Sequence, residues 1–396
     1  MRRGLVACVV AVGCCWTGGT AWADGPGVGT PAIVALGDSA ISGEAGRWAG
    51  NTNDSSSKVD ALGSSAYWDT ASGEAIRGCH RSKAAEVHIG EPFKSTNLAC
   101  SGARTYTNAG GSDFKPGIDF YSDSSGRIGQ ALALQRYAAG HNVRAVTLLI
   151  GANNYGFADI VQQCVTDWLT SPSWWPNYCN DDSSIASRFT ASRVATETTN
   201  VKNAILRVNE AMTNAGYATS QWKLLVQTYS SPIPNGSGFR YSQSGFTRQT
   251  IGGCGVWNRD ADWANGTVVT TFNTTLRNAA AASGLSNVAV VDMTNALVGH
   301  RLCENTVGLL EEKGVASWQS PGAVDKTEWV SQIRTVTAIF PPYQIQEDGH
   351  PSYWGQLALR NCLRQAYNGG APRGGTCTNT GTGLTAAGEP QMTLLR

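Results

Sequence analysis

A serine stands where an apolar run ends near the start of the chain. The stretch AIVALGDS, residues 32–39, begins as a run typical of a buried β-strand and breaks off at Gly37-Asp38-Ser39. In parallel α/β sheets, ligands bind beyond the carboxyl ends of the strands, so a serine at this point lies where a substrate would lie. Ser39 is therefore a candidate nucleophile. The alternative is a helix N-cap, because serine begins helices well, and the tripeptide alone does not decide between the two.

Three further short motifs follow in a fixed order. They are NLACSGART with Gly102, LLIGANN with Gly151, Asn153 and Asn154, and EDGHPSYWG with His350 directly before a helical pattern. With serine first and histidine last, the set resembles the SGNH or GDSL family of ester hydrolases, in particular the disulfide-bearing secreted lipases and esterases of actinobacteria. The resemblance spans about residues 32–370 in layout, although only the four motifs are specific.

The resemblance implies a role for each of these residues. Ser39 would be the nucleophile and His350 the base, with the Ser39 and Gly102 N–H groups and the Asn153 side-chain amide as the oxyanion hole. A serine hydroxyl is a poor nucleophile until a neutral imidazole takes its proton, and the oxyanion that forms needs fixed donors. The implied function is a carboxylic ester hydrolase that works through an acyl-enzyme on Ser39, without a metal or a cofactor.

The motifs depart from the family at three places. Ala40 stands where many members have Leu, and Asn154 stands where the usual GxND pattern has Asp. The third place is the acid that orients the histidine: the family usually has it three residues before the histidine, which is Glu347 here, whereas Asp348 has the usual residue type. We favour Asp348 as the orienting acid, with Glu347 close behind. A backbone carbonyl, used by some esterases of this family, is the third alternative.

The elements that must position these residues form an α/β pattern. Continuous apolar runs at 32–36, 145–150, 222–230 and 288–293 alternate with helical patterns, and the segment 191–216 carries apolar residues at helical spacing. This alternation favours a parallel sheet that is covered on both faces. With the resemblance, we expect a three-layer α/β/α sandwich of flavodoxin-like type with a central parallel sheet and long disulfide-pinned loops. Residues 155–200 and 230–285 contain no motif that can be placed.

The amino terminus has the layout of a secretory signal peptide. Arg2 and Arg3 precede an apolar stretch too short to span a membrane, and Ala21-Trp22-Ala23 predicts cleavage after Ala23. A lipoprotein with Cys14 as the lipidated residue is a weaker alternative. We therefore expect a secreted, monomeric protein with residues 24–370 as one hydrolase domain and 371–396 as a Gly- and Thr-rich surface tail.

The cysteines and charges agree with export and exclude several partners. Of eleven cysteines, three leave with the signal peptide, and the remaining eight predict disulfides between sequence neighbours: 79 with 100, 164 with 179, 254 with 303, and 362 with 377. The mature chain would carry 28 basic and 29 acidic residues, so the balance predicts no nucleic-acid or anionic-membrane partner. The absence of CxxC pairs argues against structural zinc.

Other classes of function fit the sequence less well. The elbow GxSxG, the zinc motif HExxH and the phosphate loop GxxxxGK[ST] do not occur, which argues against an α/β-hydrolase, a zinc protease and an NTPase. The remaining alternatives are a carbohydrate O-deacetylase, a phospholipase A, or a non-catalytic secreted binding protein. We interpret His80, His88, His141 and His300 as structural or surface residues, and Trp174 and Trp175 as packing within a disulfide-clamped loop.

Overall fold

The computed structural model of the protein describes residues 24–334 and 342–396. Its centre is a seven-stranded sheet in the order β2-β1-β3-β4-β5-β6-β7. The strands are β1 (Pro31–Gly37), β2 (Lys94–Asn97), β3 (Asn142–Leu149), β4 (Lys223–Gln227), β5 (Val288–Asp292), β6 (Gly375–Leu384) and β7 (Pro390–Leu395). All neighbouring strands are parallel except β6 and β7, which form an antiparallel pair at one edge.

Helices cover the sheet and connect its strands. They are α1 (Ser39–Ser42), α2 (Gln130–Ala138), α3 (Phe157–Thr170), α4 (Ser183–Ala186), α5 (Ala191–Asn214), α6 (Thr247–Thr250), α7 (Asn258–Trp263), α8 (Thr270–Ala282), α9 (Ala323–Lys326) and α10 (Tyr353–Tyr367), with a π-helical segment, Ala264–Val269, between α7 and α8. Helices α2, α5 and α8 pack on one another and on the strands β1, β4 and β5, whereas α10 packs on β6 and β7.

The α/β class and the parallel sheet predicted from the sequence are confirmed. The four apolar runs form β1, β3, β4 and β5, and the predicted helix forms α5 with its apolar stripe buried. The order of the first five strands, 2-1-3-4-5, is the flavodoxin-like order. With helices on both faces of the sheet, the fold is the expected three-layer α/β/α sandwich.

The strand order places a crevice at the end of β1. Strand β1 lies between β2 and β3. After β1 the chain forms β2 on one side of this strand and then crosses over to form β3 on the other side. Gly37 at the end of β1 pairs with Leu149 at the end of β3, which keeps the two carboxyl ends level. A topological switch point of this kind is where ligands bind in open α/β sheets.

Four disulfides fix the long connections, and their pairs are those expected from the sequence. They join Cys79 to Cys100, Cys164 to Cys179, Cys254 to Cys303, and Cys362 to Cys377. The last bond attaches β6 to α10, and the tail after residue 370 continues the sheet through β6 and β7, which its Gly- and Thr-rich composition does not predict.

The structure bears on one of the two expectations about membranes, and the other concerns residues outside the described part of the chain. Among the described helices, none has the length and apolar character needed to cross a membrane. The predicted signal peptide, residues 1–23, and the alternative lipidation at Cys14 lie outside the described residues.

Candidate active site

The end of β1 presents Ser39 at the crevice. Gly37 has φ 141°, and a Cβ there would lie 2.0 Å from the Leu149 carbonyl oxygen, so only glycine allows this close turn beside β3. The Asp38 side chain then caps α1 by accepting a hydrogen bond from the Ala40 N–H at 3.2 Å. The N-cap is therefore Asp38, and Ser39 is the first helical residue, with its side chain available for contacts outside the helix.

His350 reaches Ser39 from the far end of the chain. Its Nε2 lies 2.7 Å from Ser39 Oγ, and its Nδ1 lies 3.0 Å from the Asp348 backbone carbonyl oxygen. Because the carbonyl can only accept, Nδ1 carries the proton and Nε2 is the acceptor that faces the hydroxyl. Burial lowers the pKa of His350 below its usual 6.5, so the ring is neutral at pH 7 and can take a proton.

The two carboxylates favoured from the sequence are engaged elsewhere. Glu347 accepts hydrogen bonds from Trp48 Nε1 at 2.8 Å and from the Tyr67 hydroxyl at 2.6 Å. Asp348 Oδ2 accepts the Arg334 backbone N–H at 3.0 Å, and burial raises the pKa of its carboxyl to about 8. The structure therefore corrects the sequence-based preference for Asp348 or Glu347, because the loop turns a main-chain carbonyl, not a carboxylate, toward the ring.

We expect Asp348→Asn to keep kcat for ester hydrolysis within about threefold of the wild type. At neutral pH the Asp348 carboxyl is protonated, and an amide has the same shape and can still accept the Arg334 N–H. The main-chain carbonyl that holds His350 is unchanged. Initial rates on a soluble ester check the prediction; a loss of 10²-fold or more, as when a triad acid is neutralised, would show that the carboxyl does orient the ring.

Two of the expected oxyanion-hole residues, Ser39 and Asn153, line one pocket, and the loop that carries Gly102 adjoins the end of β1. The loop that carries Gly102 runs beside β1, because the Cys100 N–H donates to the Gly37 carbonyl at 3.0 Å. Asn153 Nδ2 donates to the Ala103 carbonyl at 2.9 Å, which fixes the amide and leaves its second hydrogen for another acceptor.

Two backbone donors at this place are also open. Gly102 has φ 78°, a conformation that favours glycine, and its N–H has no acceptor within the described part of the chain. The Ser39 N–H is likewise without an acceptor among residues 24–334 and 342–396. Within residues 24–334 and 342–396, these two N–H groups and the second hydrogen of the Asn153 amide have no acceptor, which is a condition for binding a developing negative charge.

Asn154 and Tyr229 support the site from behind. Asn154, at the position where the family usually has Asp, binds Thr105 and Glu197 and holds the loop after Gly102. The Tyr229 hydroxyl donates to Asp38 Oδ2, and burial raises the pKa of Asp38 to about 7. Sequence reasoning missed Tyr229, although its position directly after β4 placed it at the active edge of the sheet.

An apolar pocket of about 140 Å³ opens beside Ser39 and His350. Its polar lining residues include Asp38, Glu86, Asn153 and Asp260. Most of the wall consists of apolar side chains from α3, the π-helical segment and the surrounding loops: Phe157, Ile160, Val161, Val165, Val256, Trp263, Ala264, Val268, Val269, Phe272, Leu297, Leu302 and Ile333. The segments 155–200 and 230–285, which carried no recognisable motif, therefore build much of this wall.

The other singled-out residues lie away from the pocket. His88, His141 and His300 contact Ser95, Tyr137 and Trp329, respectively, which agrees with their structural interpretation. His80 is buried against Glu44. Trp174 and Trp175 are 81% and 74% exposed, so the expectation that they pack within their loop is wrong.

Of the comparisons with known proteins, the one with solved structures finds similar proteins. No family model matches the chain, and no curated protein matches it in sequence. An extracellular lipase from Streptomyces rimosus is similar at 18% identity and a TM-score of 0.46, covering 85% of this chain and 100% of the lipase. A family two carbohydrate esterase from Clostridium thermocellum is similar at 13% identity and a TM-score of 0.36, covering 86% of this chain and 64% of the esterase.

A carbohydrate acetylesterase from Sinorhizobium meliloti is similar at 11% identity and a TM-score of 0.34, covering 86% of this chain and 99% of the acetylesterase. Identities and scores this low do not bear on function. In the sequence order of Ser39, Gly102, Asn153 and His350 and in the contact between Ser39 and His350, the chain resembles the SGNH/GDSL hydrolases.

Proposed function

We propose that the protein is a serine ester hydrolase that cleaves carboxylic esters with apolar acyl chains through an acyl-enzyme on Ser39. The observation that carries the proposal is the 2.7 Å contact between His350 Nε2 and Ser39 Oγ, two residues that line the apolar pocket. A hydroxyl paired with a neutral imidazole, beside unoccupied N–H donors, is the arrangement that acyl transfer needs.

The proposed reaction has two acyl-transfer steps. Ser39 Oγ attacks the ester carbonyl carbon while its proton passes to His350 Nε2, and the N–H groups of Ser39 and Gly102 and the Asn153 amide bind the oxyanion. Collapse of this intermediate returns the proton to the leaving alcohol and leaves the acyl group on Ser39. Water then attacks the acyl-enzyme with His350 as the base and releases the acid.

The pH dependence follows from the base. His350 must be neutral to accept the proton, and burial lowers its pKa below 6.5. Activity is therefore present at neutral pH and is lost as the pH falls through this lowered pKa.

The apolar wall of the pocket favours esters with an apolar acyl chain over acetyl esters. A deacetylase of carbohydrates needs room for two carbons beside the serine, whereas the apolar wall here extends along α3 and the π-helical segment. Burying each additional CH₂ of a substrate in such a wall should raise kcat/KM about fourfold until the pocket is filled. We also propose that the mature protein is exported, is monomeric and needs no cofactor. Its four disulfides support export, because disulfides form and persist in oxidising compartments.

A series of p-nitrophenyl esters from acetyl to lauroyl tests the proposal, and Ala264→Phe tests the pocket. Ala264 lines the pocket from the π-helical segment, and a phenyl ring there should lower kcat/KM for the longer esters at least tenfold while the acetyl ester changes less than threefold. Ala281→Phe, on the exposed side of α8, is the matched control and should change neither.

The same assay includes triacylglycerol, phospholipid vesicles and acetylated xylan. Preference for the acetyl ester and for acetylated xylan would contradict the proposal in favour of a carbohydrate O-deacetylase. Activity confined to phospholipid would identify a phospholipase A. If the protein hydrolyses none of these esters, the remaining alternative is a non-catalytic binding protein.

A further inference from the structure

A buried ion pair lies next to the segment that carries the nucleophile. Glu44 follows α1, and its backbone N–H donates to the Ser39 carbonyl at 3.1 Å. Its carboxylate Oε1 lies 2.5 Å from His80 Nδ1, and the two side chains are only 0% and 5% exposed. Removing charges from water is costly, so a pair this deeply buried beside a reactive serine calls for a role.

The ion pair continues to the loop that carries the histidine. The Tyr67 ring stacks on the His80 ring with 4.6 Å between centroids, and the Tyr67 hydroxyl donates to Glu347 Oε1 at 2.6 Å. The Glu347 carbonyl then accepts the His350 N–H at 3.3 Å. A continuous path of contacts thus joins the backbone of Ser39 to the backbone of His350, in addition to the direct Oγ–Nε2 contact.

The carboxyl groups around His350 differ in the direction of their pKa shifts. Burial raises the pKa of Asp348 to about 8 and also raises the pKa of Glu347. Burial would raise the pKa of Glu44 as well, but the charge and hydrogen bond of His80 outweigh it and the pKa of Glu44 is lowered. The charge on Glu44 in turn opposes the effect of burial on the pKa of His350.

We propose that Glu44 is a positioning residue for the Ser39–His350 pair, holding the histidine loop through His80 and Tyr67 and favouring protonated His350 with its buried negative charge. The inference rests on the proposed function. In a triad the acid in contact with the imidazole stabilises the imidazolium formed in the transition state, whereas here a neutral carbonyl occupies that position. Glu44 exchanges no proton: the proton passes only between Ser39 Oγ, His350 Nε2 and the leaving group.

Several other titratable groups surround the pair and bear on its test. They are His350, Glu347 and Asp348 from the histidine loop, with Arg334 beside them, Tyr67 and Glu74 from the segment before Cys79, and Lys115 beside Gly102. None of these is changed in the variants that remove the ion pair, so their contributions are common to all the measurements.

The first variant is Glu44→Gln, assayed on a soluble ester across pH. Without the negative charge the imidazolium is less stable, so plateau kcat should fall about tenfold with KM within threefold of the wild type. For the same reason the pKa of His350 should fall, and the acid limb of kcat/KM should move to lower pH by about one unit, which is the free energy of a tenfold change. Lower activity with an acid limb displaced in this direction is not expected from a general loss of stability.

A double variant covers the case in which a single change prevents folding. Glu44→Gln/His80→Gln removes both charges and leaves no unpaired buried charge. Because the effect of Glu44 on His350 exceeds the opposite effect of His80, the double variant should show a smaller fall in plateau kcat than Glu44→Gln and a smaller shift of the acid limb in the same direction.

Two further variants separate the mechanical from the electrostatic part. Tyr67→Phe keeps the stack on His80 but removes the hydroxyl that holds Glu347, so plateau kcat should fall a few-fold with the acid limb unmoved. Glu74→Gln is the control: its carboxylate accepts the Gly78 and His80 N–H groups on the same loop, and its loss should affect stability but neither kcat nor the limb.

The outcomes distinguish this inference from the proposed function. If Glu44→Gln keeps the wild-type plateau kcat and the wild-type acid limb of kcat/KM while Ser39→Ala is inactive, the inference is overturned and the proposed function stands. A loss of activity in Glu44→Gln with an unmoved limb, matched by Glu74→Gln, would reduce Glu44 to a structural residue and also overturn it. Full activity of Ser39→Ala would overturn the proposed function itself.

Discussion

Ser39→Ala is expected to lower kcat for ester hydrolysis by about 10⁴-fold or more and to leave the free energy of unfolding within about 1 kcal/mol of the wild type. The hydroxyl is the only group removed, and its contact is with His350 Nε2 in the wall of the pocket. The cap of α1 belongs to Asp38, so the helix keeps its N-terminal hydrogen bond. Chemistry and stability should therefore separate at this residue.

The measurement combines rates on a medium-chain ester with denaturant unfolding. Ser42→Ala is the matched control, because Ser42 is buried in the same short helix and its hydroxyl bonds to the Ser39 and His80 carbonyls without facing the pocket. It should lower stability more than Ser39→Ala and activity only a few-fold. A fluorophosphonate that labels the wild type but not Ser39→Ala would identify the nucleophile directly; equal labelling of both would contradict the assignment.

The sheet could be predicted where its strands are apolar throughout. Strands β1, β3 and β4 are buried on both faces, so their sequences are continuous apolar runs that stand out from the rest of the chain. Strand β2, with the sequence KSTN, is a short polar edge strand, and β6, with GTCTNTGTGL, has no apolar run. The position of β6 depends on pairing with β5 and on the Cys362–Cys377 bond, which are contacts between distant parts of the chain.

The reactive pair could be predicted, but the group that orients it could not. Ser39 and His350 follow from residue type and from the elements they adjoin. The partner of Nδ1 depends instead on the path of a short loop, in which a 3₁₀ turn over Ile345–Glu347 and a left-handed Gly349 at φ 71° direct the Asp348 carbonyl toward the ring. Residue spacing alone leaves that path open.

The Glu44–His80 pair shows the same limit for contacts between loops. The two residues are 36 positions apart, and neither belongs to a recognisable motif. His80 reaches Glu44 because it adopts a left-handed conformation at φ 49° next to Cys79, whose disulfide with Cys100 fixes this loop beside the one that carries Gly102. Only the folded arrangement of the disulfide-pinned loops brings the pair to the reactive serine.

The second large effect is expected at the base. His350→Gln should lower kcat about as much as Ser39→Ala, because without the imidazole the hydroxyl keeps its proton during attack. Ser39 is still present in this variant, so its reaction with a fluorophosphonate should slow by a similar factor. The acid limb of kcat/KM should disappear from the residual activity, since the group whose pKa sets it is gone.

Combining the two changes tests whether the residues act as one unit. Ser39→Ala/His350→Gln should be no less active than either single variant, because each change alone already removes the proton transfer between Oγ and Nε2. A further loss on combination would mean that another base serves Ser39 when His350 is absent. His80 would be the first histidine to replace in that case, but its Nδ1 is held by Glu44, so we expect the double variant to show no such loss.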